Sequence, residues 1–435
     1  MGIVLGKRRI SPKSLPLTRR AKRSRIECAI VVVQEKFRVG LQAGTVGQSH
    51  ETLIQQYLAL PLKDTVKETW RCVNVMRVFR LAQDARTRCI SFFPHNGVQM
   101  TDKIQQVYVI QGRSERDFSD CQAALAHVPA RVTILPFITA EDEVIARTRD
   151  AAALVTSSTR VTRKVMSALE GLKVVMRTGV GYDVIDVPAA TELGVIAVNI
   201  PDIWVREVAN HTMALILAWN RKIITLDRNV HAGSWGGGIP GAWTGSLYGQ
   251  TVGIVGLGNI GSAFARRVAA FETTVIANDP YVGDARFKAL GVERVSLETL
   301  AARADYVSVH TPLNAETHHL IGEAFFRSMK PTALLVNTSR GPVVDERALA
   351  QALTEKRLAA AALDVWEQEP VAADNPLLRM DNVIATPHAA FFSSPAVAQV
   401  PRRCGEEVAR VLTGQRPLNV VNLEVYAAGA ARRAG

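Results

Sequence analysis

The rhythm of apolar and polar positions changes near residue 105. Residues 26–99 keep no sustained period of 3.6 or 2. Beyond them, short apolar runs at 107–110, 132–135, 153–156, 172–177 and 195–198 read as strands. Helical spacing over 118–127, 141–152 and 162–169 reads as the helices between them. A long helix, amphipathic and then apolar, is predicted over 207–221. A Gly/Trp-rich stretch at 235–245 reads as a surface loop. Alternation then resumes, with strands at 252–255, 274–277, 306–310, 333–337, 360–365 and 383–385. Helices are predicted at 297–303, 322–329, 346–356 and 405–412. Strands and helices alternating at this spacing argue for parallel sheets covered on both faces. The expected fold class is α/β: two Rossmann-like or flavodoxin-like doubly wound parallel-sheet domains with a cleft between them. One domain would use 104–203 and 389–425, the other 204–388. An extension, 1–103, precedes them and a tail, 426–435, follows.

Composition changes this picture only at the N-terminus. Of 435 residues 48% are apolar and 21% charged, ordinary for a globular protein. No apolar run reaches the roughly 20 residues that a membrane-spanning helix needs. Five cysteines (Cys28, Cys72, Cys89, Cys121, Cys404) lie without metal-ligand spacing. That suggests a reducing, cytoplasmic setting, with no metal expected. Of the 52 basic and 40 acidic residues, 18 and 6 lie in 1–99, leaving 34 of each beyond. The net +12 therefore belongs wholly to the extension. Nine Lys/Arg and no acid fall within 1–25, which would suit a nucleic-acid or anionic-membrane arm, or a targeting segment. The reading preferred here is blander. Met100 stands just before the first strand, so 1–99 would be an over-extended start, and nucleic acid is not expected except through 1–25.

One stretch organises the rest. In 251–281 the apolar run 252–255 leads into Gly256-Leu-Gly258-Asn259-Ile260-Gly261. A helical pattern follows, then a second strand that ends at Asp279. Gly256 permits the tight turn, Gly258 lets backbone approach a pyrophosphate, and Gly261 lets helix and strand pack closely. The helix N-terminus, with free N–H groups, suits the anion. Asp279 is placed to accept from a ribose 2′-hydroxyl and to repel a 2′-phosphate, which favours NAD over NADP. Glycines alone would be a weak signal; strand, glycines, helix, strand and acid in register make a dinucleotide site.

Three later segments each end a strand with a chemically useful residue. Asn337-Thr338-Ser339-Arg340 delivers a guanidinium able to fork onto a carboxylate. Asp364-Val-Trp-Glu367-Gln-Glu369-Pro370 delivers acids, and Thr386-Pro-His388-Ala-Ala-Phe391 an imidazole. Alone, a strand-end histidine is more often structural. Beside a carboxylate that orients it and fixes its tautomer, it becomes a candidate proton donor to a forming alkoxide.

These pieces (RTGVGYD with NIP, VGLGNIG with DPY, NTSRGPVVDE, ALDVWEQEP and TPHAA) occur in order over 105–425. Together they resemble the D-isomer-specific 2-hydroxyacid dehydrogenase family. Within it, THHLI, NDPYVGD and TPHAAFFS are most similar to the C-terminal-binding-protein branch. The resemblance implies an NAD-dependent enzyme that interconverts a 2-oxo acid and a D-2-hydroxy acid. It implies Arg340, Glu369 and His388 as catalytic residues, Glu369 rather than Glu367 because the family's acid precedes the proline. Gly256, Gly258, Asn259, Ile260, Gly261, Asp279, Pro280, Thr311, Thr338 and Asp364 would hold the cofactor. Arg177, Val180, Gly181 and Phe391 would meet the substrate. A homodimer is expected. The alternative it allows is an NAD(H)-sensing, corepressor-like interaction protein. The sequence departs from the pattern at Phe391, where that branch often has tryptophan, and at Asn210-His211, where the family usually has Glu-His. The basic extension has no counterpart.

Overall fold

The computed structural model describes residues 104–112, 115–236 and 245–427. The expectations for 1–103, for most of the 235–245 loop and for the last eight residues lie outside them. All the described residues fall in the unit that begins at Met100.

The first sheet is built from β1 (Gln105–Ile110), β2 (Ala130–Leu135), β3 (Ala151–Thr156), β4 (Val174–Arg177) and β5 (Ile196–Val198), in the order β2-β1-β3-β4-β5. All its pairings are parallel. β3 is buried at every residue, AAALVT, as a central parallel strand must be. β2, on the edge, is only partly covered. Two apolar clusters pack this sheet, one around Val109, Val155 and Met176, the other around Leu154, Met166 and Val175.

The second sheet has seven strands: β6 (Thr251–Val255), β7 (Thr274–Asn278), β8 (Glu293–Arg294), β9 (Tyr306–Val309), β10 (Leu334–Asn337), β11 (Ala360–Leu363) and β12 (Val383–Ala385). Their order is β12-β11-β10-β9-β6-β7-β8, all parallel. Strand order reverses between β6 and β9. Open α/β sheets bind ligands at such a switch point, outside the carboxyl ends of the strands. The helix expected over 207–221 is Val205–Asn220, the strand expected over 274–277 is Thr274–Asn278, and the doubly wound pair of sheets is observed.

Several elements differ from the sequence reading. The helix expected over 141–152 is Glu141–Arg147, because Ala151 pairs with Gln106 and the alanines join β3. Sheet pairing overrides their helix propensity. Helices Val187–Glu192, Ile223–His231 and Asp284–Leu290 were not anticipated. Each is under three turns, too short to show periodicity. Their ends are set locally: Asp186 accepts from Ala189 N at 3.0 Å, and Gly291 closes the third helix in the left-handed conformation. The last long helix starts at Val400, not 405, with Pro401 in its first turn. It packs on helix Ser119–Ala124 and on β4, so the chain does return to the first sheet after His388. An antiparallel bridge from Val420 to Val198 extends that return.

Candidate active site

The glycine turn after β6 is a matter of sterics. Gly256 has φ +92°, and a Cβ there would lie 2.9 Å from the His310 carbonyl. A Cβ on Gly261 would lie 2.1 Å from the Gly256 oxygen, so helix Asn259–Ala269 could not start so close to β6. Gly258 faces open space. Asp279 is 9% exposed and fixes this turn: it accepts from Leu257 N (2.7 Å), Tyr281 N (2.9 Å) and Val282 N (3.0 Å). Arg294, distant in sequence, donates to the Asp279 backbone oxygen at 3.1 Å, but its other nitrogen is engaged by Asp284. Pro280 follows Asp279 on the same edge. Across the switch point, the Thr311 Oγ1 is enclosed with no hydrogen-bond partner among the described residues. His310, just before it, is fully enclosed and burial pushes it down to about 3, so the site's wall there is neutral. An enclosed hydroxyl without a partner, beside an uncapped helix N-terminus and open Gly258, fits a dinucleotide well. Thr338 is buried against Thr212, their hydroxyls 2.9 Å apart.

The three catalytic candidates converge on the facing edge. His388 sits after β12 in a left-handed conformation, φ 53°. Its N–H donates to the Asp364 carbonyl at 2.7 Å. Its Nδ1 lies 2.8 Å from Glu369 Oε2, while Glu369 Oε1 accepts from Trp366 N at 3.2 Å. The Nδ1 contact leaves Nε2 for the cleft. Burial alone would lift the Glu369 carboxyl, but the His388 hydrogen bond and charge, with Arg340 nearby, hold it below the usual range. Glu367 is engaged elsewhere, accepting from His319 Nε2 (2.9 Å) and Glu346 N (3.0 Å). His319, Asp345 and Glu367 thus come together, but two of them close helix Glu346–Thr354 and the loop before it.

Arg340 follows β10. Its Nε donates to Asp183 Oδ1 at 2.8 Å and its Nη1 to the Ser339 carbonyl at 2.8 Å. Its Nη2 has no partner among the described residues. A Cβ on Gly181 would overlap that Nη2 at 1.5 Å, so the glycine loop leaves the guanidinium its place. Burial raises Asp183, but the charge of Arg340 and its hydrogen bond win, and Asp183 stays below its ordinary value. Among the described residues the Val180 and Gly181 amides donate to nothing. Arg177 ends β4 with its Nε enclosed and unpartnered, and burial together with Arg340 and Arg116 pushes it down to about 10. Phe391 stacks edge-on to His388 (5.8 Å) and tilted on Trp204 (5.3 Å).

Asp364 is fully buried. It accepts from Thr386 Oγ1 (2.6 Å), Ala389 N (2.8 Å) and Ala390 N (2.9 Å), and so shapes the turn that carries His388. His211 adds a contact to Thr386 at 3.2 Å. Asn210 accepts from Arg267 at 2.7 Å, within the seven-stranded half rather than between the halves. Sequence reasoning missed Asp183, Trp204 and Arg116. Asp183 closed a quoted motif and could have been found; the other two had no local signal.

A model of the family described as "D-isomer specific 2-hydroxyacid dehydrogenase, NAD binding domain" matches residues 213–390. A glyoxylate reductase of Korarchaeum cryptofilum is 42% identical over 289 residues, 65% of this chain and 86% of that one. A D-3-phosphoglycerate dehydrogenase of Methanocaldococcus jannaschii is also 42% identical over 289 residues, 65% of this chain; the chain spans only 54% of its length. The crystal structure of Aquifex aeolicus D-lactate dehydrogenase, complexed with NAD and lactic acid, superposes with TM-score 0.64 at 27% identity, covering 73% of this chain and 99% of that one.

Proposed function

The chain belongs to the D-isomer specific 2-hydroxyacid dehydrogenase family, and from that premise we propose that it interconverts a 2-oxo acid and a D-2-hydroxy acid with NAD. The observation that carries this reading is the Glu369–His388 pair at 2.8 Å, on the same edge as an Arg340 whose Nη2 has no hydrogen-bond partner among the described residues. The balance is 2-oxo acid plus NADH plus a proton, giving 2-hydroxy acid plus NAD⁺.

The bound nicotinamide supplies the two-electron transfer to and from C2. Arg340, anchored by Asp183, offers Nη2 to the substrate carboxylate, and the Val180 and Gly181 amides complete that grip. In reduction the His388 imidazolium gives its Nε2 proton to the carbonyl oxygen; in oxidation the neutral ring takes the hydroxyl proton. Glu369 accepts a hydrogen bond from Nδ1–H in both directions, fixing the tautomer and stabilising the cation. Gly256, Gly258, Asn259, Ile260 and Gly261 would cradle the pyrophosphate, and Asp279 the ribose. Thr311, Thr338, Pro280 and Asp364 would line the cofactor, with Phe391 and Arg177 on the substrate side.

The likeness to the C-terminal-binding-protein branch rests on the pieces THHLI, NDPYVGD and TPHAAFFS alone. Its residues have scaffold tasks: Thr317 is buried and His319 binds Glu367. A homodimer is supported by Ile223, Ile224 and Val230, which leave 40–55% of their surface exposed on one short helix. Among the described residues no helix is long and apolar enough to cross a membrane, and Cys121 and Cys404 are free thiols, in keeping with a cytoplasmic setting. Glyoxylate, 3-phosphoglycerate and lactate differ in what lies beyond C2, so the relatives' names do not choose a substrate. NADH oxidation followed with a panel of 2-oxo acids tests the reading. Turnover with at least one is expected; NADH binding with no turnover on any would favour the sensing alternative.

A further inference from the structure

Beyond the carboxylate grip, the substrate side of the cleft holds more positive charge than one carboxylate can neutralise. Arg340 is paired with Asp183, and Glu369 with His388. Arg177 and Arg116 have no ion-pair partner among the described residues. Arg116 lies in the loop after β1, its guanidinium 5.9 Å from the Phe391 ring centroid. Phe391 is therefore a slab with His388 on its edge and Arg116 over its face. The loop is clamped at this residue: Gln111, 7% exposed, donates to the Arg116 carbonyl (2.7 Å) and accepts from its N–H (3.1 Å).

Of the neighbouring acids, Asp183 draws on Arg177 by charge, but its hydrogen bond goes to Arg340. Asp117 accepts from Ser119 N (2.8 Å) and Oγ (3.0 Å), and Glu115 faces solvent. The Cys404 thiol lies close to both arginines, but burial pushes it far up, so it stays neutral. Burial works against both arginines, and at Arg177 the charges of Arg340 and then Arg116 add to it. A half-buried guanidinium with an enclosed, unpartnered N–H is costly unless an anion arrives to pair it.

We propose that the pocket selects 2-oxo acids that carry a second anionic group beyond C2, recognised by Arg116 and Arg177 across the Phe391 ring. This rests on the dehydrogenase reading and sharpens it. The group's shared chemistry is an oxyanion, a carboxylate or a phosphate ester. A guanidinium pair takes either by charge-assisted hydrogen bonds, while the aromatic face supports the carbon chain between the two ends.

The test compares kcat/KM for NADH-dependent reduction of oxaloacetate, 2-oxoglutarate and 3-phosphohydroxypyruvate with that of 2-oxobutanoate, 2-oxopentanoate and hydroxypyruvate. At least one doubly anionic acid should exceed its singly anionic counterpart at least about tenfold, roughly the effect of one charged hydrogen bond. Whether a carboxylate or the phosphate leads identifies the source of the anion. In Arg116→Gln that ratio should fall towards one through KM, and Arg116→Lys should restore part of it; NADH binding monitors folding in both. Equal use of doubly and singly anionic acids, or an Arg116→Gln loss shared alike by both sets, would overturn the proposal while leaving the dehydrogenase intact. No turnover on any acid would instead sink the dehydrogenase reading, and this proposal with it.

Discussion

His388 holds a left-handed backbone conformation that few side chains adopt without support. Its ring is set by Glu369, so the two residues are expected to act as one unit. His388→Ala should lower kcat by about 10²–10⁴-fold, the usual worth of a positioned acid–base group, with NADH affinity nearly kept. Arg340→Ala should lower kcat/KM by roughly 10²–10³-fold, also sparing NADH. Steady-state kinetics with a fluorescence titration of NADH checks both, and an unaltered rate in either removes that residue from the mechanism. The same pair predicts an acid limit on stability. Glu369 is held below its ordinary 4.5 in the folded chain, so the unfolded chain binds more protons over that window. Its contribution is complete above the unfolded value and is lost as pH falls through the folded one. The gap in melting temperature between the native chain and Glu369→Gln should therefore shrink as pH drops below about 4.5. A gap that stays constant down to about pH 3 would contradict this.

At the scale of elements, β10, β11 and β12 each end in a short turn that aims one residue, and those turns rest on buried polar contacts. Asp364 is the clearest case. Three donors converge on its carboxylate, and two are amides of the turn that follows His388. Asp364→Asn would put an NH₂ group against at least one of these donors. A stability loss of about 1.5–3 kcal/mol is expected, with lower kcat from a displaced His388. Thermal unfolding alongside kinetics tests this, and a variant with native stability and rate would show that the turn holds itself. The sequence announced the strands here because buried parallel strands are continuous apolar runs, such as the fully buried LLVN of β10. It hid helices Val187–Glu192 and Asp284–Leu290, because six or seven residues carry too few turns for a period to appear. It misplaced Ala151 and Ala152 because alanine favours a helix until a neighbouring strand claims it.

For the whole molecule, charge divides where contacts divide. All of the net +12 lies in 1–99, and the chain from Met100 on is balanced. A protein starting at Met100 should keep NADH binding and turnover and should elute from an immobilised polyanion at much lower salt than the full chain. Loss of turnover on this truncation would show that the extension serves the enzyme. The sequence by itself determined the α/β class and the dinucleotide turn, because glycine sterics and buried strands are written in contiguous residues, and its resemblance to a family singled out Arg340, Glu369 and His388 as candidates. Only the tertiary structure decided which partners complete them. Asp183 meets Arg340 across 157 positions, and Arg116 reaches Phe391 from the far end of the chain. Such pairs are made by two sheets meeting at a cleft, and no local pattern records them, since the spacing that matters is measured through space.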